Sequence, residues 1–386
     1  MKRIFAVFLL LIFFLVSCSA DVAETTQTDV GSGRATLAAV GDIFLTDDML
    51  KDAKQADGSY DFSTQFSALT LPLSEADLTL GNFEGNFIGS DYGNANGSYP
   101  DELADTLYDI GFDLLQTANS YTIFNGLNGL ERTKAVIEEA GMSALGSYVG
   151  AKDKSANQVV IREVNGIRFA FIAFTKGLGG LAMPTDTDCS VDLLYRDYTS
   201  DYSEIDTDYL TQVVEAARAK KPDIIVAALH WGSENIGEIS TTQEEIASLL
   251  LKKGVDVILG SHSHLLGQIE QRTVTTDNGE TKNCLIAYSL GDFCAVSEGE
   301  CNTSVYLRIE FLRGENGRTD IVDFDYVPIS AIDRGEDFSN RYCILRSETA
   351  IELYESNYYD RISEAAYGII VSDVEAIKKM HKSEAE

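Results

Sequence analysis

Three of the four histidines in this 386-residue chain, His230, His262 and His264, directly follow apolar runs that read as strands. His262 and His264 close the run Val255-Asp256-Val257-Ile258-Leu259-Gly260-Ser261-His262-Ser263-His264. At a strand or its exit, side chains at i and i+2 point the same way, so both imidazoles can converge on one ion. A single His such as His230 is also an ordinary packed residue; three at strand ends together suggest a metal site. Acids and amides recur at the same kind of place. Asp42 follows the run 36–41, Asn82 and Glu84 follow 78–81, Asn119 follows 112–118, Glu234 lies just past His230, and Asp292 follows 285–291. Carboxylate, amide oxygen and imidazole together suit a divalent cation, Mn, Fe or Zn, held as a pair, and the absence of thiols argues against a structural zinc.

Positioning such residues requires several strands to end at one edge. Strand-like runs at 36–40, 78–80, 112–117, 159–164, 168–174, 223–229, 255–259, 285–289, 305–311 and 321–327 alternate with helical patterns at 130–140, 208–221 and 242–253. That alternation predicts an α/β fold with helix-covered sheets, in which ligands bind beyond the carboxyl ends of strands. Thr242 and Glu245 have capping-box spacing at the start of the last helix, and Gly254 suits its end. The segment Arg313-Gly314-Glu315-Asn316-Gly317-Arg318 reads as a turn between antiparallel strands, so the sheets are expected to be mixed. Residues 346–386 read as a charged helical appendage to a domain at 35–345.

The N-terminus bears an address. Lys2 and Arg3 precede an apolar core too short to span a bilayer comfortably, so residues 1–17 read as an export signal. The sequence Leu15-Val16-Ser17-Cys18 resembles the lipobox of bacterial lipoproteins, which implies cleavage before Cys18, lipid on its sulfur, and an extracytoplasmic chain anchored to the bacterial cell membrane. A plain signal peptide, or an uncleaved anchor with a coincidental cysteine, is the alternative. Residues 18–34 are rich in Ala, Thr, Asp, Gly and Ser and read as a flexible tether. A net charge of −31 repels nucleic acid and anionic lipid, so nucleic acid is excluded as a partner. Beyond Cys18 there are five cysteines, Cys189, Cys284, Cys294, Cys301 and Cys343, with no C-x-x-C spacing. They leave open either buried free thiols or a disulfide, with Cys294 and Cys301 nearest in sequence.

The chemistry-bearing residues also carry a family resemblance. Gly41-Asp42, Asn82-Phe83-Glu84, Ala118-Asn119, His230-Trp231-Gly232-Ser233-Glu234, Gly260-Ser261-His262-Ser263-His264 and Tyr288-Ser289-Leu290-Gly291-Asp292-Phe293 resemble, in order and spacing, the motif series of the CapA family. These poly-γ-glutamate capsule synthesis proteins are related to calcineurin-like metallophosphoesterases, and the resemblance covers roughly residues 35–330. It implies a four-layer α/β/β/α sandwich with a metal site at the sheet edge. Asp42, Glu84, Asn119, His230, His262 and His264 would be its ligands, and Glu234 a nearby acid that orients an imidazole or faces substrate.

The departures bear on activity. Where the family pattern has a His after the Ala-Asn pair, this chain has Tyr121; in the related phosphoesterases that His steadies or protonates the leaving oxygen, work worth roughly 10²–10⁴ in rate. Phe44 stands where phosphoesterases have a ligand His, and Gly291-Asp292-Phe293 replaces Gly-Asn-Phe. Two functions follow from the resemblance. One is a surface metallohydrolase acting on a phosphoester or related bond; the other is a component of capsule assembly that binds metal and an anionic polymer without turnover. Other capsule-synthesis components would be the partners of either.

Overall fold

The computed structural model describes residues 33–338, 341–357 and 362–383. The signal segment, Cys18 and nearly all of the tether lie outside them.

Two mixed sheets lie face to face. The first runs in the order Tyr342–Arg346, Thr319–Asp333, Cys301–Arg313, Arg34–Ile43, Leu78–Phe83, Leu114–Gln116, Ser143–Leu145. Its last four strands are parallel, and the others pair antiparallel. The second runs Ile269–Thr275, Thr281–Ala287, Val257–Ser261, Ile224–His230, Ile167–Thr175, Val160–Val164, with four parallel strands between two antiparallel edges.

The side-chain period of two sorts the apolar residues into three layers. Leu37, Ala39, Leu78 and Leu80 of the first sheet meet Phe169, Phe171, Val226, Ala228, Val257 and Leu259 of the second in a core between the sheets. Their alternates Ala38, Val40 and Ile43 face outward onto the helices Asp47–Ala53 and Glu102–Asp109 through Met49, Leu50, Leu103 and Leu107. On the far side, Ala170, Ile172, Ile225 and Ala227 pack against the helices Thr207–Ala219 and Thr241–Lys253 through Val213, Val214, Ile246 and Leu250. The result is an α/β/β/α sandwich, with central strands apolar on both faces, as parallel strands covered by helices on one side and a sheet on the other must be.

Several expectations shift in detail. The strand expected at 285–289 runs instead over Thr281–Ala287, its early start set by a hairpin with Ile269–Thr275, a strand the apolar pattern does not predict. The capping box starts at Ser240, not Thr242: Ser240 Oγ accepts from Gln243 N at 3.2 Å, and Gln243 Oε1 accepts from Ser240 N at 3.0 Å. Gly254 ends that helix in the left-handed region, φ 117°. The expected hairpin between Cys301–Arg313 and Thr319–Asp333 is present. Cys294 and Cys301 do not pair; all five cysteines described are free thiols, and Cys284, Cys294 and Cys343 are buried. The helices Ser347–Glu355 and Glu364–Ser383 pack Ala350 and Ile370 on Ile332 and Leu345 at the edge of the first sheet. Among the described residues no helix is long and apolar enough to cross a membrane.

Candidate metal centre

The parallel strands of both sheets end at one rim, and that rim collects the polar residues. Two close approaches of backbone set their positions. A Cβ on Gly41 would lie 1.8 Å from Gly291 O, and one on Gly260 would lie 2.1 Å from Tyr288 O, so only glycine fits either place. Asp42 N donates to Gly291 O at 2.8 Å and Phe293 N to Asp42 O at 2.9 Å, which stitches the Asp42 and Asp292 loops together. Between Ala39 and Asp42 the first strand carries one residue more than its neighbour, a bulge that re-aims Asp42. His262 and His264 both lie at positive φ, 99° and 59°. Non-glycine residues hold that conformation only where the surroundings impose it, and it is common at functional sites.

Two groups of three potential ligands result. Glu84, His230 and His262 form one; Asp42, His264 and Asp292 form the other, and within each group the ligand atoms lie within 4.8 Å of one another. The first group joins a carboxylate of the first sheet to two imidazoles of the second, with His230 Nε2 3.6 Å from Glu84 Oε1 and the imidazole centroids 4.4 Å apart. In the second, His264 Nδ1 lies 2.7 Å from Asp292 Oδ1 and 3.7 Å from Asp42 Oδ2. Asn82 links them: its Nδ2 donates to Asp42 Oδ1 at 2.7 Å and lies 3.4 Å from His230 Nδ1.

Burial sets the electrostatics. Asp42, Glu84, His230 and His262 are buried, and burial pushes the Asp42 carboxyl up to about 6, with Asp292 adding to the rise against the pull of His264. Glu84 rises well above its usual range for the same reason, reinforced by Asp42. Burial drives His230 well down and His262 to about 3, so both rings are neutral and carry lone pairs for a ligand. His264 behaves oppositely. Burial would lower it, but its hydrogen bond to Asp292 and the charges of Glu84 and Asp42 hold it up at about 9.

A divalent cation fits this donor set. Glu84 Oε2 and His262 Nδ1 are buried without a hydrogen-bond partner, an arrangement that costs roughly 1–3 kcal/mol per group unless something coordinates them. Carboxylates and imidazoles without thiolate are the ligands of Mn, Fe and catalytic Zn.

The remaining expected residues sit around these groups. Asn119 is buried in the same network, but its Nδ2 donates to Asn82 Oδ1 at 3.0 Å and Phe83 O at 2.6 Å, and its Oδ1 accepts from Tyr121 N at 3.0 Å. It therefore braces Asn82, with one lone pair of Oδ1 left for any other role. Tyr121 is half-buried beside Phe124, and burial together with the charges of Glu84 and Glu234 raises its phenol above the usual value. Phe44 packs edge-on against the His264 ring, 5.4 Å between centroids. Glu234 is exposed on a cleft of about 410 Å³ that also touches His262, and among the described residues it makes no hydrogen bond to an imidazole. Orientation of His230 comes instead from Ser261 Oγ, 3.2 Å from Nδ1, and Ser120 Oγ, 3.1 Å from Nε2. Those serines and Lys176, which lines the same cleft, carry no motif of their own in the sequence. Their one signal was their place, a polar residue just past an apolar run.

The fold and this rim define a four-layer α/β/β/α protein with a candidate paired cation centre at its strand ends. Residues 36–297 match the model of the bacterial capsule synthesis protein family PGA_cap, and the chain belongs to that family. It is 26% identical over 308 residues to the capsule biosynthesis protein CapA of Bacillus anthracis, covering 77% of this chain and 67% of that one. It is 25% identical over 227 residues to the PGA biosynthesis protein CapA of Bacillus subtilis, covering 58% and 53%. The chain thus spans about two thirds of the first relative and about half of the second. Among solved structures it is similar to the calcineurin-like phosphoesterase YfkN of Bacillus subtilis, with a TM-score of 0.41 and 13% identity over 77% of this chain and 91% of that one.

Proposed function

We propose that this chain works outside the cytoplasm in the assembly of a poly-γ-glutamate type capsule, anchored by lipid on Cys18, as a metal-dependent hydrolase of a phosphoester or related bond. The observation that carries the reading is the pair of three-ligand groups joined by Asn82, with Glu84 Oε2 and His262 Nδ1 left for coordination. The capsule assignment rests on the family and on the names of the two relatives.

Glu84, His230 and His262 would hold one ion and Asp42, His264 and Asp292 the other, with Asn82 between them. Divalent cations there would supply Lewis acidity, lowering the pKa of an attacking water and stabilising developing negative charge. The protein's own part is to keep His230 and His262 neutral by burial, to brace Asn82 through Asn119, and to open the rim to clefts of about 410 and 610 Å³ on its two sides.

One observation favours a second reading, a cation and polymer binding component without turnover. By the family resemblance Tyr121 stands in the proton donor's place, and burial raises its phenol, which weakens it further as an acid. Turnover of a chromogenic phosphodiester by residues 19–386 separates the two. The hydrolase reading expects measurable metal-dependent turnover that rises roughly 10²–10⁴-fold in Tyr121→His. Turnover absent in wild type and present only in Tyr121→His would establish the binding role instead.

A further inference from the structure

Lys176 is the one Lys or Arg among the described residues lining the two clefts that flank the ligand groups. It follows directly on the strand Ile167–Thr175, whose Thr175 pairs in register with His230, and its backbone N donates to His230 O at 2.8 Å. The side chain is half-buried. Its Nζ donates to Gly232 O at 2.6 Å and lies 4.4 Å over the Tyr202 ring. An ammonium has three hydrogens, so two remain beyond the bond to Gly232.

A lysine here works against cation binding. Lys176 lines the same cleft as His262 and is bonded through its backbone to His230, so its ammonium faces the first group. Glu234, exposed on the same cleft, offsets some of that charge from the solvent side. A cation held by the first group and the Lys176 ammonium would repel one another across the cleft, and an anion bound between them would be attracted to both. The chain as a whole, with 61 acidic against 30 basic residues, repels an anion, so its capture would be local.

We infer that Lys176 is a substrate-positioning residue that binds an anionic oxygen group, carboxylate or phosphate, of the polymer or ester and so places the neighbouring bond at the Glu84, His230 and His262 group. This rests on the proposed function for the identity of the substrate, but its test does not depend on turnover.

The test is equilibrium binding of a γ-linked glutamate oligomer, and separately of inorganic phosphate, to residues 19–386 both loaded with Mn²⁺ and treated with chelator. Wild type is compared with Lys176→Met, which keeps the stem over Tyr202, and with Lys176→Arg. Thermal melts and metal content of each variant are measured alongside. The expected result is binding weakened about tenfold or more in Lys176→Met, restored in Lys176→Arg, and more salt-sensitive in wild type than in Lys176→Met. Loss with the oligomer alone identifies carboxylate as the group; loss with phosphate as well identifies the broader anion site. Unchanged binding of both ligands to a folded Lys176→Met in both metal states overturns the inference. Failure of the wild type to take up Mn²⁺ would count against the cation centre instead, with the Lys176 dependence still read in the chelated protein.

Discussion

Asn82 touches both halves of the candidate centre, through Asp42 on one side and His230 on the other, and is itself held by Asn119. A buried amide with those contacts orients ligands; outer partners of this kind typically contribute 10–100-fold to metal affinity. Asn82→Ala is therefore expected to weaken metal binding about 10–100-fold while the fold persists, as read by competition with a chelating dye. An affinity equal to wild type would show that the two groups do not depend on their link. Most of this was legible in the sequence as residue types at strand exits. What could not be read was partnership: His264 finds Asp292 28 positions away and Asp42 more than two hundred away, contacts fixed only by the meeting of two sheets. Lys176 is illegible in the sequence for a related reason, since one cation in a Gly-rich loop has no meaning until His230 lies beside it.

At the scale of elements, the motif glycines explain why the strand exits converge. Gly260 has no room for a methyl group, with Tyr288 O 2.1 Å and Trp231 Nε1 2.6 Å from any Cβ. Gly260→Ala is expected to destabilise by more than about 4 kcal/mol or to prevent folding, because backbone as well as side chain must move. A urea titration showing less than about 1 kcal/mol would contradict that reading of the rim. The later strands carry a separate, pH-dependent lock. Arg341 holds both oxygens of Asp333 at 2.7 Å, and with the amides of Gly299 and Gly335 keeps its carboxyl down at about 2. A folded value below the unfolded one means stability that is present above about pH 4 and is lost as pH falls toward 2. Solvent screening of this partly exposed pair limits the loss to about 1 kcal/mol in wild type, and it is expected to be smaller in Arg341→Met, measured by denaturant melts across that range. The long apolar strands were evident from sequence because burial on both faces leaves no alternation to confuse. The four- to eight-residue helices before residue 110 and the strands Ile269–Thr275 and Tyr342–Arg346 were not, since short or half-exposed elements carry too few apolar positions to show a period.

Across the whole molecule, a chain of strongly negative charge gathers candidate cation ligands where two sheets meet, and the core of Leu37, Phe171, Val226 and their neighbours packs those sheets together. Neither sheet holds a complete ligand group: Glu84 and Asp42 come from the first, His230, His262 and His264 from the second. The sandwich is thus what brings the candidate centre together, and the motifs that carry the family resemblance lie along its rim. The most direct measurement is the metal content of purified residues 19–386, determined by mass spectrometry after equilibration with Mn²⁺, Fe²⁺ or Zn²⁺, beside a folded His262→Ala/His264→Ala double variant. The account predicts about two ions per wild-type chain and fewer than one in the variant, since each group loses an imidazole. Equal content in the two, at any level, would contradict it.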